Sequence, residues 1–176
     1  MKRFLLLLGL LLFYICIKSQ DINQDVCKYK KAYNYLFNDS ILFNGLKPTE
    51  INSIVCDSII YIHKIMFYKQ YKEEGEVDRN VFKRVEELDN SRWHSPIFSI
   101  SISNIFPIKK IKNPLFILYF SKVKNNILFC EIMPLHNLST YSYFENSYFN
   151  QSYQYMFIFD ENDSIKNVLK EKVAYN

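Results

Sequence analysis

Glu131 is the residue whose setting first raises a chemical question. It stands in Ile127-Leu-Phe-Cys-Glu-Ile-Met133, and strand alternation puts it on one face with Ile127, Phe129 and Met133. A carboxylate on an apolar face is exposed at the sheet end, paired, or raised in pKa and available for acid/base work. An isolated buried charge is expensive, so the exposed or paired setting is the expectation. No second carboxylate stands at a spacing that would make an acid/base pair with it.

The other reactive side chains are scattered. His63, His94 and His136 form no His-x-His or His-Glu-x-x-His pattern, so no metal site is expected. Trp93-His94-Ser95-Pro96 is the most distinctive local string. Trp93 beside His94 can line a pocket, but a loop in which Trp93 plugs the core edge is the expectation. His136, just past Pro134, reads as a loop residue. Of four cysteines, Cys16 lies in the N-terminal apolar run, which leaves Cys27, Cys56 and Cys130. Three thiols allow one disulfide with one left over, and Cys27–Cys56 is the pair to test first, since Cys130 reads as a small buried hydrophobe. A hydrolase would use a histidine (His94 or His136) with Glu131 or a thiol, although no local motif joins them.

Tyr141, Tyr143, Phe144, Tyr148, Phe149, Tyr153 and Tyr155 form an aromatic-rich run. Tyrosine offers an apolar face and a hydroxyl, which suits recognition, so Tyr143, Tyr153 and Tyr155 join Trp93 as candidate ligand-binding residues. The plainer expectation is core and edge filling in a chain with 14 Tyr and 15 Phe. With only Gly9, Gly45 and Gly75 there is no glycine-rich phosphate loop, and no cofactor is expected.

The formal charge of +4 is misleading. Met1-Lys2-Arg3, the apolar run Phe4–Ile17 and Lys18-Ser19-Gln20-Asp21 have the pattern of a secretory signal peptide over residues 1–20, cleaved near Ser19–Asp21. The run is shorter than the roughly 20 residues that span a bilayer. Without Lys2, Arg3 and Lys18, 19 basic residues face 18 acidic ones, too even a balance for a nucleic-acid partner. A periplasmic or extracellular protein is the expectation, touching a membrane only through an uncleaved leader.

Hydrophobic periodicity then gives the elements that must position these residues. The spacing of Val26, Tyr29, Tyr33, Leu36 and Phe37 predicts a helix over 21–38. The β-branched run after Thr49 predicts a strand near 51–56 and a second element at 59–72. Asp78 caps a helix to about Leu88 with a stripe of Val81, Phe82, Val85 and Leu88. Phe98, Ile100, Ile102 and Phe106 alternate with serines in a strand over 97–106. Residues 114–133 read as a hairpin around Asn125-Asn126, apolar on both faces of its first strand and therefore interior to a sheet. Residues 135–152 read as a loop or edge strand. Strands at 153–159 and 165–175 complete the pattern, the last preferred over a helix.

The expected architecture is one α+β domain over 21–176, with N-terminal helices packed on an antiparallel sheet of about four to six strands. By element order alone it is similar to nuclear-transport-factor-like or cystatin-like folds, an analogy that transfers no site. The expected function is an exported, non-enzymatic domain that binds a small ligand or a protein. The alternatives are an extracytoplasmic hydrolase using a histidine with Glu131 or a thiol, and an envelope protein tethered by an uncleaved leader.

Overall fold

The computed structural model describes residues 25–92, 98–101, 105–106, 111–136, 142–148 and 150–175. The expected leader, Trp93 and His94 lie outside them, as do Ile102, the side chain of Ile100 and part of the aromatic run.

Helix α1 is described over 25–38. Its predicted stripe is its buried face: Tyr29, Ala32 and Leu36 are buried, and Val26, Tyr33 and Phe37 pack beside them. It lies on the first face of the sheet, with the Tyr29 ring edge-on to Phe120 at 5.8 Å and the Tyr29 hydroxyl donating to the Ser121 carbonyl at 3.0 Å. Its N-terminal end is fixed by buried Lys28, whose ammonium reaches Asp25 (3.2 Å) and Asp163 (2.9 Å).

The sheet has six strands among the described residues, in the order β2-β1-β3-β4-β5-β6. They are β1 (Ser53–Ile59), β2 (Phe98–Ser101), β3 (Phe116–Phe120), β4 (Ile127–Pro134), β5 (Gln151–Phe159) and β6 (Ile165–Ala174). The α+β expectation holds, with one correction: the sheet is mixed, because β1 runs parallel to β3. The remaining pairs are antiparallel. The parallel pair requires a crossover, and the stretch 60–115 supplies it.

β3 is interior and every residue of it is buried. Phe116, Leu118 and Phe120 join the core under α1, while Ile117 and Tyr119 join the core on the second face. Its link to β4 is a two-residue turn in which Asn125 and Asn126 take φ of 52° and 58°. That left-handed pair matches the twist of the flanking strands, and asparagine adopts it at low cost.

The segment after β1 covers the second face. Ile60, Ile62 and Phe67 pack on Ile117, Phe129 and Met156. Phe67 belongs to a 3-10 helix, Ile65–Tyr71. Helix α2 (Asp78–Arg92) packs on this segment from outside. It runs past the predicted end, and its stripe differs: Val81, Val85 and Asp89 are buried, whereas Phe82 and Leu88 are exposed. A helix resting on one slender 3-10 segment buries a single file at i, i+4, i+8 instead of a broad face.

Two other expectations need correction. Of the strand expected over 97–106, Phe98–Ser101 is strand among the described residues, whereas Ile105 and Phe106 turn and bury under α1, where Phe106 stacks on Phe120. The stretch 135–152 contains a short helix, α3 (Tyr143–Ser147), with the Ser142 side chain accepting from the Glu145 amide at 3.5 Å. Five residues are too few for periodicity to reveal a helix.

Candidate functional site

Glu131 is wholly buried at the centre of β4. Register places it between Tyr119 of β3 and Gln154 of β5, and alternation points it to the second face. It is not exposed at the sheet end: its carboxyl is hydrogen-bonded inside the core, to neutral partners. The Tyr143 hydroxyl donates to its Oε2 at 2.6 Å and the Tyr175 hydroxyl to its Oε1 at 2.6 Å. Gln154 Nε2 donates to Oε2 at 3.0 Å. The two tyrosine oxygens are themselves 2.8 Å apart, and Gln154 Nε2 also reaches Tyr175 Oη at 3.1 Å.

Each partner is brought by a different element. α3 supplies Tyr143, and the Asn146 amide fixes α3 to the sheet by donating to Tyr119 Oη at 3.2 Å. The Tyr143 ring stands edge-on to Tyr119 at 5.1 Å. Tyr175 follows β6, and its amide donates to the Asn150 carbonyl at 2.9 Å. Asn150 donates from its side chain to the Pro134 carbonyl at 2.9 Å, tying the start of β5 to the end of β4. Ser152 and Gln154 face the same way along β5, and both are buried. Gln154 Oε1 is without a hydrogen-bond partner among the described residues.

Burial pushes the Glu131 carboxyl above its ordinary 4.5, and the surrounding hydroxyl and amide donors only partly offset it. Burial likewise drives the Tyr143, Tyr175 and Tyr119 phenols upward. The cluster lies in the interior and presents no free carboxylate oxygen to a substrate.

The other candidates are not drawn together. His136 is exposed just beyond β4. Cys130 follows Phe129 but points to the α1 face, where burial pushes its thiol well up. Tyr153 and Tyr155 also face α1. Tyr153 packs on Phe43 at 5.2 Å with the Lys170 ammonium 5.6 Å from its ring centroid, and Tyr155 donates to Asp39 Oδ2 at 2.8 Å. The described part of the aromatic run is thus divided between the two faces of the sheet. The Cys27–Cys56 pairing is not formed: Cys27 is an exposed thiol on α1 and Cys56 a buried one on the second face, with the sheet between them. Among the described residues no group of three or more His, Cys, Asp or Glu could hold a metal ion.

Sequence reasoning singled out Glu131 and Tyr143 separately, and missed Gln154 and Tyr175. A signal for Gln154 was present. It is the one amide in the aromatic and aliphatic run 153–159, as Glu131 is the one carboxylate in its own strand, and register sets them opposite each other. Tyr175 had no such signal, because its place depends on where the last strand ends. In comparisons with known proteins, no protein family, curated protein or solved structure matches this chain.

Proposed function

We propose that this chain is an exported, non-enzymatic domain that binds a partner protein through one end of its sheet. The observation that carries the reading is a rim of exposed large apolar side chains there: Leu42, Leu46, Ile51, Leu115, Phe144 and Tyr148. The Leu115 amide donates to the Asn52 carbonyl (2.8 Å) and the Leu135 amide to the Leu115 carbonyl (2.8 Å), where β1 and β3 begin. Phe43, paired with Leu46, packs on Phe116 (5.3 Å) at the start of β3, and Asn150 donates to both Pro134 of β4 and the Asn146 carbonyl of α3. Ile51 is 85% exposed. Single exposed apolar residues are ordinary, but several at one end mark an interaction surface. The opposite end is polar, with Lys122, Lys124, Asn125 and Asn126 beside the 160–164 turn.

Export rests on the leader pattern in the sequence. The hydrolase alternative draws less support, because both carboxyl oxygens of Glu131 are occupied, His136 is exposed beyond β4, and burial pushes the Cys56 and Cys130 thiols up.

A photo-crosslinking side chain at position 51, with position 166 of β6 as control, tests the reading in the native host. A discrete protein adduct from position 51 alone, lost in Leu115→Glu, is the expected result. No adduct, or the same adducts from both positions, removes it.

A further inference from the structure

Three short oxygen contacts close a triangle in the core: Tyr143 to Glu131 (2.6 Å), Tyr175 to Glu131 (2.6 Å) and Tyr143 to Tyr175 (2.8 Å). Each hydrogen bond needs one proton. With Glu131 ionised, the two phenols bring two protons to three contacts, and the tyrosine oxygens face each other lone pair to lone pair. A protonated carboxyl brings the third. The Oε1–Tyr175 bond then reverses and the ring runs in one sense, with protonated Glu131 Oε1 donating to Tyr175, Tyr175 to Tyr143, and Tyr143 to Oε2. Gln154 Nε2 fits this ring, since Oε2 and Tyr175 Oη each keep a lone pair for it.

From this proton count we propose that Glu131 is held as a neutral acid in a closed Glu–Tyr–Tyr ring, and that releasing its proton to solvent unlatches α3 and the end of β6 from the sheet. α3 is five residues long and Phe144 is about half exposed. The other ties of α3 among the described residues include Asn146 on Tyr119 (3.2 Å) and Asn150, whose Nδ2 bridges the Asn146 carbonyl (2.8 Å) and the Pro134 carbonyl of β4 (2.9 Å). Tyr175 is joined to the same neighbourhood by one backbone bond to Asn150.

The groups facing the ring leave the titration to Glu131. Tyr119 from β3, Tyr71 from the 3-10 helix, and Tyr143 and Tyr175 themselves are pushed up by burial, as is Cys56 from β1. Gln154 and Ser152 from β5 are neutral. Lys64 places its ammonium 5.9 Å from the Phe129 ring centroid, and no cation pairs with the carboxyl among the described residues. Glu171, opposite Gln154 on β6, is exposed and of the same sign, so it does nothing to hold Glu131 ionised. The folded pKa lies above the unfolded one, so the stabilisation is fully present below the ordinary 4.5 and is lost as pH rises through the folded value.

Infrared spectroscopy and hydrogen exchange on the full chain, with Glu131→Gln as comparison, test this from about pH 5 to about pH 9. Glutamine keeps both a donor and an acceptor at the ring position. The wild type is expected to show a protonated-carboxyl band that Glu131→Gln lacks. Protection of the α3 amides should fall about tenfold per pH unit within the window, beyond the intrinsic rate change, and should stay level in the variant. A wild type with no such band overturns the proposal, and so does α3 protection that follows the variant's profile. If Glu131→Gln does not fold, the wild type still decides: a band that persists until global unfolding, with no separate loss of α3 protection, overturns it.

Discussion

Asp39 and Glu131 are carboxyl groups shifted in opposite directions, and the difference lies in what surrounds them. Asp39 follows α1 and accepts from Tyr155 (2.8 Å), the Lys170 ammonium (2.9 Å) and the Ser40 amide (2.7 Å). Burial alone would push its pKa up, but the bonds from Lys170, Tyr155 and Ser40 outweigh it and hold the carboxyl below its ordinary 3.8. Glu131 has comparable bonds but no cation, and burial prevails. Asp39 therefore stabilises the fold above its unfolded pKa, and that contribution is lost as pH falls through the lower folded value. Asp39→Ala leaves the buried Tyr155 hydroxyl without its acceptor and is expected to cost about 1–3 kcal/mol near neutrality. Denaturant titration should show this cost shrinking in acid, and a cost that does not change with pH would contradict it. Neither partner set was legible from local sequence, because Tyr155 and Lys170 reach Asp39 from more than a hundred residues away.

At the scale of elements, what was legible is what local pattern encodes. The α1 stripe, the Asn125-Asn126 hairpin and the strand form of β6 were all readable from spacing and turn chemistry. Where tertiary contact decides, pattern fell short. The α2 stripe was drawn through Phe82 and Leu88 because they are apolar, yet Asp89 is the buried residue of that turn. Its carboxylate accepts from the amides of Lys64 (2.9 Å) and Ile65 (2.8 Å) and from the Tyr61 hydroxyl (2.7 Å). It thereby starts the 3-10 helix from another element, since the Lys64 cap position makes no side-chain capping bond of its own. Asp89→Ala strands those donors and is expected to cost about 1–3 kcal/mol. Hydrogen exchange should quicken over 64–71 and α2 while β3, β4 and β5 keep their protection. Uniform loss across the sheet would show that these layers are not separable.

For the whole molecule, the parallel pairing of β1 with β3 has a consequence for how the chain acquires its structure. β3 through β6 form an antiparallel meander of neighbouring strands, whereas β1 must wait for the crossover at 60–115 to close behind it. Local pairings form before distant ones, because loop closure costs entropy before the contacts that reward it exist. β1 should dock late, leaving one edge of the two-sided apolar β3 open for a time, and an open apolar edge invites pairing with another chain. The thiols report this order. In the native protein Cys27 is exposed while Cys56 and Cys130 are buried, so a thiol reagent should modify Cys27 quickly and the other two only on opening. During refolding, Cys130 in the meander should become protected before Cys56 in β1. Simultaneous protection would mean that β1 belongs to the folding nucleus. If protection is sequential, this chain is most prone to sticking to itself in the interval between the two events.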